Sequence, residues 1–146
     1  AAISACEREG RWAWALHLTT DMRQADIEAD LFTYNTLISA LARGQRWESA
    51  LQLAHSLSGR SLQPDAVTCA ATASACEAGR QWKLSLHLLR TWEPNVVAYT
   101  AAMSACGRGQ QWKQALGVLD SMRWRRVEAN VFAYSAAIRA CEICQQ

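Results

Sequence analysis

The chain has 146 residues, of which hydrophobic types make up 51%, a content that excludes a disordered polar tail. No apolar run approaches the roughly 20 residues of a membrane span, so the expectation is a soluble all-helical protein. The net charge of +2 carries little information about nucleic acid, because 15 basic residues are nearly matched by 13 acidic ones.

Trp12, Trp47, Trp82 and Trp112 recur at spacings of 35, 35 and 30 residues, opening the phrases RWAWALHL, RWESALQL, QWKLSLHL and QWKQALGV. Ahead of each stands a second phrase: AAISACEREGR, NTLISALARGQR, AATASACEAGRQ and TAAMSACGRGQQ, with SAAIRACEICQQ closing the chain. Self-similarity at a period near 35 is the mark of a repeat array. Each unit is expected to fold as two short helices with a glycine-containing turn between them.

In chain order, 1–30 is a partial unit, 31–65 a complete one, 66–95 a shortened one, 96–130 complete and 131–146 partial. Both ends fall inside a unit, so a fragment of a longer array is expected. The first helix carries Leu37, Ile38, Leu41 and Ala42, or Ala101, Ala102, Ala105 and Cys106, a buried stripe of small residues. The second carries Trp47, Ala50, Leu51, Ala54 and Leu57, or Trp112, Ala115, Leu116, Leu119 and Met122, with its tryptophan in the core and away from the groove. Gly10, Gly44, Gly79 and Gly109 fall between the helices, where a left-handed residue would end the first helix. Asp30, Pro64-Asp65, Pro94-Asn95 and Asn130 close the units, and their carboxylates and amides suit N-caps of the following helix. The shortened second helix of 66–95 is expected to change the local superhelical pitch.

Cys6, Cys76, Cys106 and Cys141 share a repeat position held by Leu41 in the remaining unit, which reads as a small core hydrophobe. Cys141 and Cys144 form one Cys-x-x-Cys pair without a second pair at zinc-site spacing, so no metal is expected. His17, His55 and His87 have no nucleophile or carboxylate pattern beside them, and no phosphate loop or His-x-Glu motif is present. The chain therefore reads as a binding module without cofactor, small-molecule substrate or catalytic residues.

The segments LFTYNTLISALARGQRWESALQLAHSLSGRSLQPD and VVAYTAAMSACGRGQQWKQALGVLDSMRWRRVEAN closely resemble the pentatricopeptide repeat, and the resemblance extends over the whole array. Trp at the head of the second helix and Cys69 in place of the Tyr at 34, 99 and 134 depart from the family pattern. The resemblance implies an all-α α-solenoid, a right-handed superhelix, that binds single-stranded RNA in its groove, one base per repeat and parallel to the chain. It also implies a role in RNA processing, stabilisation, editing or translation in a chloroplast or mitochondrion, with RNA-processing proteins as further partners. A catalytic domain beyond Gln146 is compatible with this.

By that resemblance the base-reading pairs are Asn35 with Asp65, Ala70 with Asn95 and Thr100 with Asn130, while Asp30 and Ser135 are half-sites. The family's code assigns uracil to Asn35/Asp65 and adenine to Thr100/Asn130, giving a core 5′-U-n-A-3′. Phe32, Val67, Val97 and Phe132, three residues earlier on the same helix face, would be the wedges between bases. Arg43 and Arg108 lie about 20° from Phe32 and Val97 around the helix, Arg8 holds the same slot in the first unit, and all three are candidates for RNA phosphate, with Ala78 and Ile143 interrupting the series. The competing reading is a helical-repeat scaffold for a protein or peptide partner, similar to tetratricopeptide units.

Overall fold

The computed structural model describes residues 12–25, 30–59 and 62–145. Eight α-helices are present among them: α1 (Trp12–Gln24), α2 (Leu31–Arg43), α3 (Trp47–Gly59), α4 (Ala66–Ala78), α5 (Trp82–Thr91), α6 (Val96–Arg108), α7 (Trp112–Trp124) and α8 (Val131–Cys144). No described residue is in a strand. The even-numbered helices stack in one layer, α2 on α4, α4 on α6 and α6 on α8; α3, α5 and α7 each pack between two of them from the other side, and α1 packs against α2. This two-layer helical-repeat solenoid matches the architecture the period implies.

Each even helix starts at a side-chain cap. Asp30, Asp65, Asn95 and Asn130 hold extended backbone angles and accept the amide N–H three residues on, at 2.9 Å from Thr33, 2.9 Å from Thr68, 3.0 Å from Ala98 and 3.0 Å from Ala133. Where the cap is a carboxylate the third helical residue is Thr, and where it is an amide that residue is Ala. The threonine hydroxyl supplies the charged cap with one more hydrogen-bond donor, at 2.7 Å in the Asp30–Thr33 pair.

The layer of even helices is close because its facing residues are small. Ala71, Ala75, Ala101, Ala102, Ala105, Ala136 and Ala140 are buried, and a Cβ on Gly107 would sit 3.1 Å from the Cα and Cβ of Ala140. The odd helices contribute larger core side chains, among them fully buried Leu57 and Met122. In α7 the expected stripe is shifted: Leu116 is exposed and Val118 is buried in its stead. The shortened unit compensates for its missing helical turn with Trp92, the cap residue of α5, whose side chain packs against three separate core clusters.

The inter-helix glycines do not take the left-handed conformation expected of them. Gly44, Gly79 and Gly109 have φ of −77°, −85° and −85°, and the positive φ falls on the next residue, Gln45, Arg80 and Gln110. The turn is still a Schellman motif, with Arg46, Gln81 and Gln111 N–H groups donating to Leu41, Cys76 and Cys106 carbonyls. Glycine is required there for a different reason: a Cβ on Gly44, Gly79 or Gly109 would fall inside the indole of Trp12, Trp47 or Trp82 respectively. Each tryptophan is thus seated on the glycine of the following unit, and the Arg46 guanidinium covers the Trp12 ring at 4.3 Å. In α8 that slot is Cys144, the helix continues through it, and Trp112 is 41% exposed.

Candidate nucleic-acid interface

Phe32, Val67, Val97 and Phe132 project from the first turns of α2, α4, α6 and α8 and are 69%, 56%, 55% and 74% exposed. They form a row of apolar side chains outside the core, one per stacked helix. Recesses open between neighbours in this row. One, of about 410 Å³, lies between Phe32 and Val67 and is lined by Asn35, Asp65, Thr36 and Ser39. A second, of about 250 Å³, lies between Val97 and Phe132 and is lined by Thr100, Asn130, Ser74 and Glu77.

In the first recess the two expected base-reading groups touch. Asn35 Nδ2 donates to Asp65 Oδ1 at 3.2 Å, and Thr68 Oγ1 lies 2.6 Å from Asn35 Oδ1 and 2.9 Å from Asp65 Oδ1. The hydroxyl has one proton for these two acceptors and donates it to one of them at a time. Asn35 is buried, and the pairing leaves it one N–H and one carbonyl lone pair for a ligand. Burial alone would raise the Asp65 pKa, but the N–H and hydroxyl of Thr68, the Asn35 amide and the Val67 N–H together hold it below the usual carboxylate value. The aspartate therefore stays ionised at neutral pH.

The second recess is arranged differently. Thr100 donates its hydroxyl proton to Val96 O at 2.8 Å, which leaves its oxygen as an acceptor, while the Asn130 carbonyl oxygen caps α8 and leaves the amide NH₂ available. Between these two sites Asn95 caps α6 and Ala70, 9% exposed, offers only a methyl group. Asp30 is exposed with its carboxylate occupied by Thr33, which lowers its pKa, and Ser135 is exposed on α8.

The arginine candidates divide. Arg8 lies outside the described residues, Arg43 is exposed at the end of α2, and Arg108 pairs with Glu77 at 3.5 Å. Glu77 was missed by sequence reasoning, as was Thr68. Burial raises the Glu77 carboxyl pKa, with Arg108 and Arg139 opposing the rise. The sequence signal for Thr68 was available in the Asp-x-x-Thr capping box. Glu77 had no such signal, because only the stacking of α4 on α6 brings it beside Arg108.

The model of the pentatricopeptide repeat domain matches residues 17–78, and that of the PPR repeat family matches residues 94–142, so the two together take in most of the chain. The chain belongs to the pentatricopeptide repeat family. Curated proteins give no match to it. Among solved pentatricopeptide structures, the PPR domain of Arabidopsis thaliana protein-only RNase P 1, in complex with tRNA, superposes with a TM-score of 0.83 at 14% identity, covering 99% of this chain and 82% of that one. The pentatricopeptide repeat protein PPR10 in complex with an 18-nt psaJ RNA element gives 0.82 at 22% identity, over 98% of this chain and 22% of PPR10. PPR10 from maize gives 0.72 at 27% identity, over 94% of this chain and 20% of that one. This chain thus spans about a fifth of PPR10, and the likeness fixes the pentatricopeptide fold.

Proposed function

We propose that this pentatricopeptide array binds single-stranded RNA sequence-specifically, one base per repeat, with uracil read by Asn35/Asp65 and adenine by Thr100/Asn130. The observation that carries the reading is the coincidence of two features in each recess: exposed apolar side chains on both sides and polar groups in the lining that match base-edge chemistry. Stacking on an aromatic side chain contributes roughly 1–3 kcal/mol per base, so Phe32 and Phe132 are the stronger wedges. The tRNA and psaJ complexes of the pentatricopeptide relatives support RNA as the ligand class. The parent protein would act in organellar RNA processing, stabilisation, editing or translation, in a chloroplast or mitochondrion, with RNA-processing proteins as its other partners.

The test is fluorescence anisotropy at low salt, where the few phosphate contacts of a short array are least screened. RNAs carrying U-n-A are expected to bind best, and Thr100→Asn should move the preference at the second position from adenine toward a pyrimidine. Binding indifferent to both the RNA and the Thr100 change overturns the assignment and favours a protein-binding scaffold.

A further inference from the structure

The layer of odd-numbered helices, opposite the row of wedges, contains a recess that the RNA reading does not use. It arises because α5 has 10 residues where α7 has 13, leaving the last turns of α7 without a flanking helix end. The space, about 190 Å³, is bounded by Arg90, Arg125, Tyr99, Gln114, Ser121 and Gly117, with Leu86, Leu89 and Val118 as an apolar wall. Its volume exceeds the roughly 30 Å³ share of a single water.

Three observations distinguish it from an ordinary surface dent. Tyr99 is 1% exposed, and its hydroxyl has no hydrogen-bond partner among the described residues, an arrangement that ordinarily costs about 1–3 kcal/mol. Arg90 and Arg125 form no ion pair with a described carboxylate, and Arg125 is fixed at the C-cap of α7 by its N–H donating to the Ser121 and Arg123 carbonyls. Gly117 sits mid-helix, where glycine costs roughly 0.5–1 kcal/mol relative to alanine, yet a Cβ there would meet nothing within 4 Å. No packing contact requires that glycine, and its missing side chain leaves the α7 side of the recess open.

We propose that this recess binds a phosphate group, either free phosphate or the head of a phosphate monoester whose organic part lies on the apolar wall. The Arg90 and Arg125 guanidinium groups, the Tyr99 phenol and the Gln114 amide all border the recess, a donor set larger than the two oxygens of a carboxylate need and suited to a tetrahedral oxyanion. Arg123 and Arg126 are also exposed on the same turn and add to the positive field around it.

The test is a ¹H–¹⁵N titration of the chain with inorganic phosphate and, separately, phenyl phosphate, each against chloride at matched ionic strength. The Gly117 and Val118 amides are expected to shift saturably. Arg125→Gln should weaken the response roughly tenfold or more, from the loss of a charge-assisted hydrogen bond. Gly117→Leu, which fills the floor while favouring the helix, should abolish it. Equal response to the two probes assigns the site to free phosphate, and tighter phenyl phosphate assigns it to a monoester. Shifts that do not saturate, or that persist in Gly117→Leu, overturn the proposal. The general stabilising effect of phosphate on folded proteins would act on all variants alike. Failure of RNA binding in the groove would leave this result unaffected, because the two sites lie in opposite layers.

Discussion

Asn35 and Asp65, thirty residues apart, are joined by a 3.2 Å hydrogen bond from the amide Nδ2 to carboxylate Oδ1. The carboxylate has a second duty as cap of α4, so base reading and folding share one side chain. Asp65→Asn separates the two. Asparagine caps as well as aspartate, so stability should change by less than about 0.5 kcal/mol, while the preference for uracil at that position falls. Asp65→Ala removes both functions, and thermal melts should register a loss of about 1 kcal/mol or more together with weaker RNA binding. A variant that kept uracil discrimination without the carboxylate would remove Asp65 from the reading pair.

The seat of Trp47 on Gly79 gives a prediction whose sign depends on background. Gly79 has φ of −85°, open to any residue, so Gly79→Ala is opposed only by the indole. Overpacking of this kind costs about 1–3 kcal/mol. In a Trp47→Ala background the obstacle is gone, and the same change should stabilise by about 0.4–1 kcal/mol through the unfolded chain. Denaturant unfolding of the four combinations measures the reversal, and additivity would show that the two residues are not coupled.

That coupling is the part of the fold the sequence conceals. The period and the capping residues follow from spacing, because helix geometry and cap chemistry are local, and the row at Phe32, Val67, Val97 and Phe132 follows from the register of the family resemblance. The glycines were equally visible, but their sequence position suggested a left-handed turn, which non-glycine Gln45, Arg80 and Gln110 supply instead. What glycine permits is contact with a side chain about 32 residues earlier, as from Gly44 to Trp12, and no local rule reaches that far. Thr68 behind Asn35 and Trp92 filling the short unit are likewise products of stacking.

Glu77 sets an opposing charge on the proposed RNA face. Its carboxylate lines the Thr100/Asn130 recess and holds Arg108 at 3.5 Å, away from service to phosphate. Glu77→Gln should therefore raise RNA affinity severalfold, on the order of 1 kcal/mol, with Arg108→Gln removing the gain. Because burial raises the folded-state pKa, the ionised form is disfavoured in the fold: relative stability is gained as pH falls through that value and lost as pH rises. RNA affinity of the unmodified chain should rise on mild acidification for the same reason, and in Glu77→Gln this component should vanish. Anisotropy across a pH series at constant salt reads both.

The thiols follow the same logic at alkaline pH. Burial pushes Cys69 up to about 11, Cys76 to about 12 and Cys106 to about 11, with Arg125 opposing the shift at Cys69 and Cys69 adding to it at Cys76. Thiols of the unfolded chain ionise near 8.5, so above that pH the unfolded state loses protons that the folded state retains. Stability contributed by the neutral thiols is present below about 8.5 and falls as pH rises toward 11. Cys106→Ala should flatten this slope while leaving the fold intact, since alanine suits the same buried slot. The same burial makes these three sulfurs poor nucleophiles at neutral pH. A thiol reagent should modify the half-buried Cys141 and Cys144 first and reach Cys69, Cys76 and Cys106 only on unfolding. Mass spectrometry of the labelled chain with and without denaturant distinguishes the two groups, and early labelling of Cys76 would contradict its place in the core.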